Sequence, residues 1–286
     1  MNNFPAHPLL SVFRGVRLAV HLVNGILLAI VYPHLNSKRQ LGILKNWSRQ
    51  LLTIFNIGVQ IEGRQPIRGE GGYLVVANHV SWLDIFVLNA IHPSRFIAKS
   101  EVRDWPIIGW LSQRTGTVFI ERALRQNAAT INLRLSLLLG QGVSVGLFPE
   151  GTTTDGKQVG HFHSALIQPA IDARMKICPV ALYYQNEAGE HSSEASFIGD
   201  MTLIQSIWQL LRCSQLNALV VFTPALSAAT ENRRVLARAA QDAIANALQN
   251  VDITQQAEHQ IPHHSLLASQ SSYGLLVDPL LSHHHE

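Results

Sequence analysis

The sequence predicts an α/β fold, a largely parallel central sheet flanked by helices, with an N-terminal helical arm that associates with a membrane. Three observations carry that prediction. Short β-branched or aromatic runs alternate with stretches of helical length between residues 73 and 248. No acidic residue occurs before Glu62, whereas Arg14, Arg17, Lys38, Arg39, Lys45 and Arg49 do. Residues 18–37, LAVHLVNGILLAIVYPHLNS, contain no Asp, Glu, Lys or Arg.

The arm comes first and is assigned to residues 1–60. Residues 1–61 carry a formal charge of +6, and the remainder, with 16 Lys and Arg against 19 Asp and Glu, carries −3. Cations flanking Leu, Ile and Val suit an anionic lipid surface, where each contributes about 1 kcal/mol, better than nucleic acid, which selects a dense basic run. The charge-free stretch has about the length of a membrane-spanning helix, but His21, Asn24, Gly25 and Pro33 weaken it, so a span and a helix lying in one leaflet are both expected forms. The apolar stretch starts late and no small-residue cleavage site follows promptly, which argues against a cleaved signal peptide. A hydrophobic content of 47% with 14% charged residues and a mean hydropathy of +0.12 also points to lipid contact.

The body, residues 61–250, supplies the alternation. YLVVA (73–77), RFIA (95–98), TVFIE (117–121), VSVGLF (143–148), CPVALYY (178–184) and ALVVFT (218–223) read as strands. Between and after them, residues 82–91, 123–139, 163–173 and 229–248 read as helices. Such alternation implies parallel crossovers, and functional groups should gather at the carboxyl ends of the strands. Residues 251–286, rich in Gln, Ser and His, are expected to form a flexible tail. Cys178 and Cys213, the two cysteines, fit buried thiols in a reducing compartment, and no zinc-ligand spacing occurs, so no metal site is expected.

Polar clusters close four of the strands. NHVSWLD (78–84) follows YLVVA; Asn, Ser and Asp are ordinary capping residues, but capping does not explain His79. With a helix starting near Ser81, His79 and Asp84 would meet across its entrance, the carboxylate fixing the tautomer of an imidazole base. GTVFIER (116–122) ends in Arg122, which can fork onto a phosphate or carboxylate, although a surface ion pair is the plainer reading. FPEGTTTDG (148–156) holds Glu150 in a tight loop, followed by Gly and Thr residues with backbone donors. In CPVALYY, Pro179 starts a strand, which is allowed but notable.

Two motifs mislead. GVSVG (142–146) has the G-x-S-x-G pattern of a hydrolase elbow, yet Ser144 lies inside a run that continues as a strand. GTTTDGKQ (151–158) is one residue from a phosphate-binding loop, with Gln158 where a hydroxyl is needed.

Taken together and in order, the four clusters resemble the glycerolipid acyltransferases of the 1-acylglycerol-3-phosphate acyltransferase (PlsC-like) family, over about residues 60–225. NHVSWLD is similar to its N-H-x-S-x-x-D block, GTVFIER to G-x-x-F-I-x-R, FPEGT to F-P-E-G-T and CPVAL to its Pro-centred block. Lys99 and Glu101 match a K-x-E pair often found between the first two blocks. The resemblance implies acyl transfer from acyl-CoA or acyl carrier protein, as co-substrate rather than cofactor, to a lysolipid hydroxyl without an acyl-enzyme. By position it makes His79 the general base and Asp84 its orienting partner, and it assigns Arg122, Glu150, Gly151, Thr152 and Lys99 to the acceptor head group. Backbone donors near Gly151 or at the helix entrance would serve the oxyanion. It further implies a bacterial-type inner membrane, cytoplasmic face. One departure stands out: Thr153 occupies the position where many phosphatidate-forming members carry Arg, which weakens the case for a phosphomonoester; lysophosphatidate still leads as acceptor because it is the commonest in the family, with lyso-ornithine lipid or another lysophospholipid as the alternative. A non-catalytic lipid-binding protein and a Ser144-dependent lipid hydrolase are the opposing classes.

Overall fold

The computed structural model describes residues 7–67, 71–120, 125–229 and 231–260. Its helices are α1 (Pro8–Val31), α2 (Ser37–Ile54), α3 (Asp84–Ile91), α4 (Ile108–Arg114), α5 (Arg125–Gly140), α6 (Gln168–Asp172), α7 (Leu203–Arg212) and α8 (Arg233–Gln260). Its strands are β1 (Ile57–Gly63), β2 (Leu74–Ala77), β3 (Arg95–Lys99), β4 (Val118–Ile120), β5 (Val145–Leu147), β6 (Ile177–Gln185) and β7 (Leu216–Phe222). They form one seven-stranded sheet in the order β1-β7-β6-β2-β5-β3-β4.

Among the described residues five of the six strand pairings are parallel and only β6 and β7 run antiparallel, so the sheet is largely parallel as predicted. β2 and β6 are buried along their whole length, which is why they read as unbroken apolar runs rather than alternating ones. β2, β5, β3 and β4 all point the same way, so Ala77, Leu147, Lys99 and Ile120 end their strands at one edge of the sheet.

The expected arm and body meet at residue 60. β1 spans it, paired with β7, and Leu51, Leu52 and Phe55, from α2 and the residue that ends it, belong to the core cluster. Helix α1 begins ten residues before the charge-free stretch and buries Ser11, Arg14, Leu18, His21, Gly25 and Ala29, spaced three or four apart, along one face. That face is small or polar: the His21 ring stacks on Trp47 of α2 at 4.3 Å, and Gly25 leaves room for the same indole. The apolar residues Leu9, Val12, Phe13, Val16, Val20, Val23, Leu27 and Ile30 face outward. The helix is long and apolar enough to cross a membrane.

Three of the six early cations have internal work. Buried Arg14 donates to the Leu211, Cys213 and Ser214 carbonyls at the end of α7. Lys45 and Arg49 of α2 donate to the Ile91 and Ala90 carbonyls at the end of α3, each at 3.0 Å. A cation at a helix C-terminus contributes about 0.3–1 kcal/mol. Arg17, Lys38 and Arg39 remain exposed.

The chain divides into a unit ending at Gln249 and a second from Asn250 onward. In the first, α8 buries Leu236, Ala237, Ala240, Ile244 and Leu248. In the second, the helix continues to Gln260, ten residues into the expected tail, and residues 261–286 lie outside the described ones.

Candidate active site

The site is assembled where β2 leaves the sheet. Asn78 extends the sheet ladder with its side chain, donating to the Leu182 carbonyl at 2.9 Å and accepting from the Leu182 N–H at 2.7 Å. That pairing fixes the direction in which the next residue, His79, departs. The His79 N–H donates to Glu150 Oε1 at 2.9 Å, and its carbonyl accepts from the Thr154 N–H at 2.8 Å. The backbone of His79 is thus gripped on both sides by the loop after β5.

The predicted partnership of His79 with Asp84 is present. Nδ1 lies 2.9 Å from Asp84 Oδ2, and the same oxygen accepts from the Val80 and Ser81 N–H groups at 2.8 and 2.9 Å. The carboxylate is 0% exposed and the imidazole side chain 19% exposed. An acceptor at Nδ1 puts the ring proton there and leaves Nε2 as the basic nitrogen. The ring also stacks on Phe148 at 4.0 Å, nearly parallel, and Phe148 stacks in turn on Phe96 at 5.6 Å. Room for the Phe96 ring comes from Gly146 beside it, where a Cβ would sit 2.5 Å from a ring carbon. The second glycine of GVSVG therefore serves packing under the site.

Helix α3 starts at Asp84 rather than near Ser81, and the capping expected of Ser81 does not occur: its hydroxyl is buried without a hydrogen-bond partner among the described residues. Asp84 does that work in reverse, receiving the N–H groups of the turn before it.

Glu150 is 6% exposed and splits its carboxylate between the His79 N–H and the Gly160 N–H, the latter at 3.0 Å. Gly160 admits this approach because a Cβ there would sit 2.6 Å from Oε2. The residue expected at the head group is thus a clamp between two loop segments. Burial holds its carboxyl above the ordinary value of 4.5, against the opposing pull of the two N–H donors and His79. The folded state then binds this proton more tightly than the unfolded chain, so stability from this group falls as pH rises from 4.5 through the raised folded value. The melting temperature of wild type relative to E150Q should rise as the pH is lowered into that window, measured by thermal unfolding; a gap that stays flat removes the assignment.

The Gly151 N–H donates to the Phe148 carbonyl at 3.1 Å, closing the turn, so that donor is engaged by the protein rather than held for an oxyanion. Thr152 is exposed, and the Thr153 hydroxyl donates to the Phe197 carbonyl. Lys99, the last residue of β3, is exposed on the same sheet edge as His79. Arg122 lies outside the described residues. Sequence reasoning assigned no role to Phe148 or Tyr184, although both stand in the blocks it singled out.

The misleading motifs resolve. Ser144 is buried just before β5, at the opposite edge of the sheet, where its hydroxyl lies 2.9 Å from His92 Nε2 and accepts from the Tyr73 N–H. Residues 151–158 do not open a helix; the next helical turn begins at Ser164. Both thiols are free and buried, and burial pushes that of Cys178 up to about 12, which rules it out as a ready nucleophile.

A largely parallel sheet carries, at its carboxyl edge, a buried carboxylate hydrogen-bonded to an imidazole, an arrangement suited to moving a proton. The family model described as Acyltransferase matches residues 58–183. A 1-acyl-sn-glycerol-3-phosphate acyltransferase of Neisseria meningitidis is 39% identical over 186 residues, which cover 65% of this chain and 72% of that protein. A lyso-ornithine lipid O-acyltransferase of Pseudomonas aeruginosa is 38% identical over 205 residues, covering 71% and 76%. The crystal structure of PlsC, the 1-acyl-sn-glycerophosphate acyltransferase of Thermotoga maritima, matches with a TM-score of 0.58 at 19% identity, over 84% of this chain and 98% of that one. The chain belongs to the 1-acylglycerol-3-phosphate acyltransferase (PlsC-like) family and is an O-acyltransferase.

Proposed function

We propose that this enzyme transfers a fatty acyl group from the thioester of acyl-CoA or acyl carrier protein to the free hydroxyl of a lysolipid, with His79 as general base. The observation that carries this is the His79–Asp84 pair, with the carboxylate fully buried and Nε2 left for a substrate. His79 takes the hydroxyl proton as the acceptor oxygen attacks the thioester carbonyl carbon. When the tetrahedral intermediate collapses, the C–S bond breaks and the imidazolium returns the proton to the departing thiolate, giving an ester and a free thiol. The thioester is already activated, so the step needs no enzyme nucleophile, which agrees with the buried positions of Ser144 and Cys178.

Lys99, Arg122 and Thr152 are the proposed head-group contacts. The acceptor placed first is 1-acyl-sn-glycerol-3-phosphate, giving phosphatidic acid; lyso-ornithine lipid is the second reading. Thr153 favours the second, because its hydroxyl is turned to the Phe197 carbonyl and the position offers no cation to a phosphomonoester. Relatives bearing the two names are almost equally similar, at 39% and 38% identity. Docking through the outward apolar face of α1 at the cytoplasmic face of the membrane would bring the site to lipids that remain in the bilayer.

Thiol release from a long-chain acyl-CoA or acyl carrier protein should require an added lysolipid. Comparing lysophosphatidate with lyso-ornithine lipid in wild type and T153R tests the acceptor: T153R should raise the ratio of lysophosphatidate to lyso-ornithine turnover roughly tenfold, the scale of one charge-assisted hydrogen bond. Thiol release without any lysolipid acceptor would contradict acyl transfer.

A further inference from the structure

We propose that Tyr184 is a positioning residue for acyl transfer, acting through Asp84 to hold the imidazole of His79; this rests on the reading of His79 as general base. The register of the sheet makes the contact. Ala77 pairs with Val180, and Asn78 pairs through its side chain with Leu182. Two residues further, on the same face of β6, Tyr184 reaches beneath the entrance of α3. Its hydroxyl donates to Asp84 Oδ1 at 2.8 Å across 100 residues of sequence. The side chain is 1% exposed, and it is among the largest fully buried side chains in the described structure.

Asp84 has two oxygens with different tasks. Oδ2 is occupied by His79 Nδ1, the Val80 N–H and the Ser81 N–H. Oδ1 faces the sheet and accepts from the phenol. The carboxylate is thereby held at both ends, and its plane, which sets the direction of the imidazole, is fixed by β6 as well as by the turn. Burial and the adjacent Asp84 charge hold the phenol well above its ordinary range, so it stays a neutral donor whenever the carboxylate is charged. Tyr183, on the opposite face of the strand, packs against His191 at 5.4 Å and is the natural control.

The test is Y184F, which deletes one oxygen, alongside Y183F and H79A. Y184F should lower kcat about tenfold, the scale of one hydrogen bond to a charged group, with KM for donor and acceptor changed less than about twofold. The ring 15N spectrum of His79 should keep the Nδ1–H tautomer but show a shifted and broadened Nδ1–H signal as the carboxylate loses its tether at Oδ1, and Y183F should match wild type. Wild-type kcat in Y184F with inactive H79A would overturn this proposal and leave the general base intact; active H79A would overturn both. A Y184F protein that does not fold, or that loses activity through KM alone, would make the phenol structural and overturn the proposal as well.

Discussion

His79→Ala should lower kcat by a factor on the order of 10³, within the 10²–10⁴ range of a general base, while the protein stays folded. The expectation of a folded variant comes from where the residue is held. Its N–H to Glu150 and its carbonyl to Thr154 are backbone bonds that survive the substitution. The imidazole is 19% exposed, and what is lost is its stacking on Phe148 and one contact with Asp84. The measurement is single-turnover thiol release with saturating lysolipid, paired with thermal unfolding. Retained turnover would remove the general base from the mechanism.

The elements that were legible in the sequence are those whose local chemistry and tertiary role coincide. β2 and β6 are buried on both faces, so their apolar runs could be read directly. β1 is an edge strand with a mostly exposed pattern, and Gly58, Gln60 and Glu62 interrupt its apolar residues, so nothing local marked it. α7 was readable and overlooked: Thr202 and Gln205 form a capping box, a signature visible as T-x-x-Q.

The same division holds in the site. His79 and Asp84 lie five residues apart and meet at a helix entrance, so spacing sufficed. Glu150 was visible as a special residue, but not its role, because its partners are the backbones of His79 and Gly160 and backbone donors leave no mark in a sequence. The cations of the arm misled for a related reason. Charge counting treats Arg14, Lys45 and Arg49 as available to lipid, whereas each is committed to carbonyls at a helix end. Only the assembled fold shows which charges are already engaged.

The second large effect concerns Asp84, and its two substitutions should differ. In a serine-hydrolase triad, Asp→Asn costs ~10⁴ because the amide turns its NH₂ toward the histidine and reverses the tautomer. Here the Val80 and Ser81 N–H groups point at the same oxygen position as His79 Nδ1. In D84N the new side chain would have to bring an NH₂ against two N–H donors to make that turn. The favoured orientation keeps the amide oxygen there and presents the NH₂ to the Tyr184 oxygen, which can accept. D84N then preserves the tautomer, removes the negative charge that stabilises the imidazolium and reverses the Tyr184 hydrogen bond, so kcat should fall by roughly 10²-fold, the upper scale of one charge-assisted hydrogen bond. D84A loses the orienting group as well and leaves two buried N–H donors unsatisfied, so it should fall by on the order of 10³–10⁴ and lower the melting temperature too. Steady-state kinetics of both variants, with the His79 ring 15N spectrum, separates charge from orientation. If D84N proves as inactive as D84A with its proton on Nε2, the turn does not control the amide; if D84N is as active as wild type, the charge does no catalytic work.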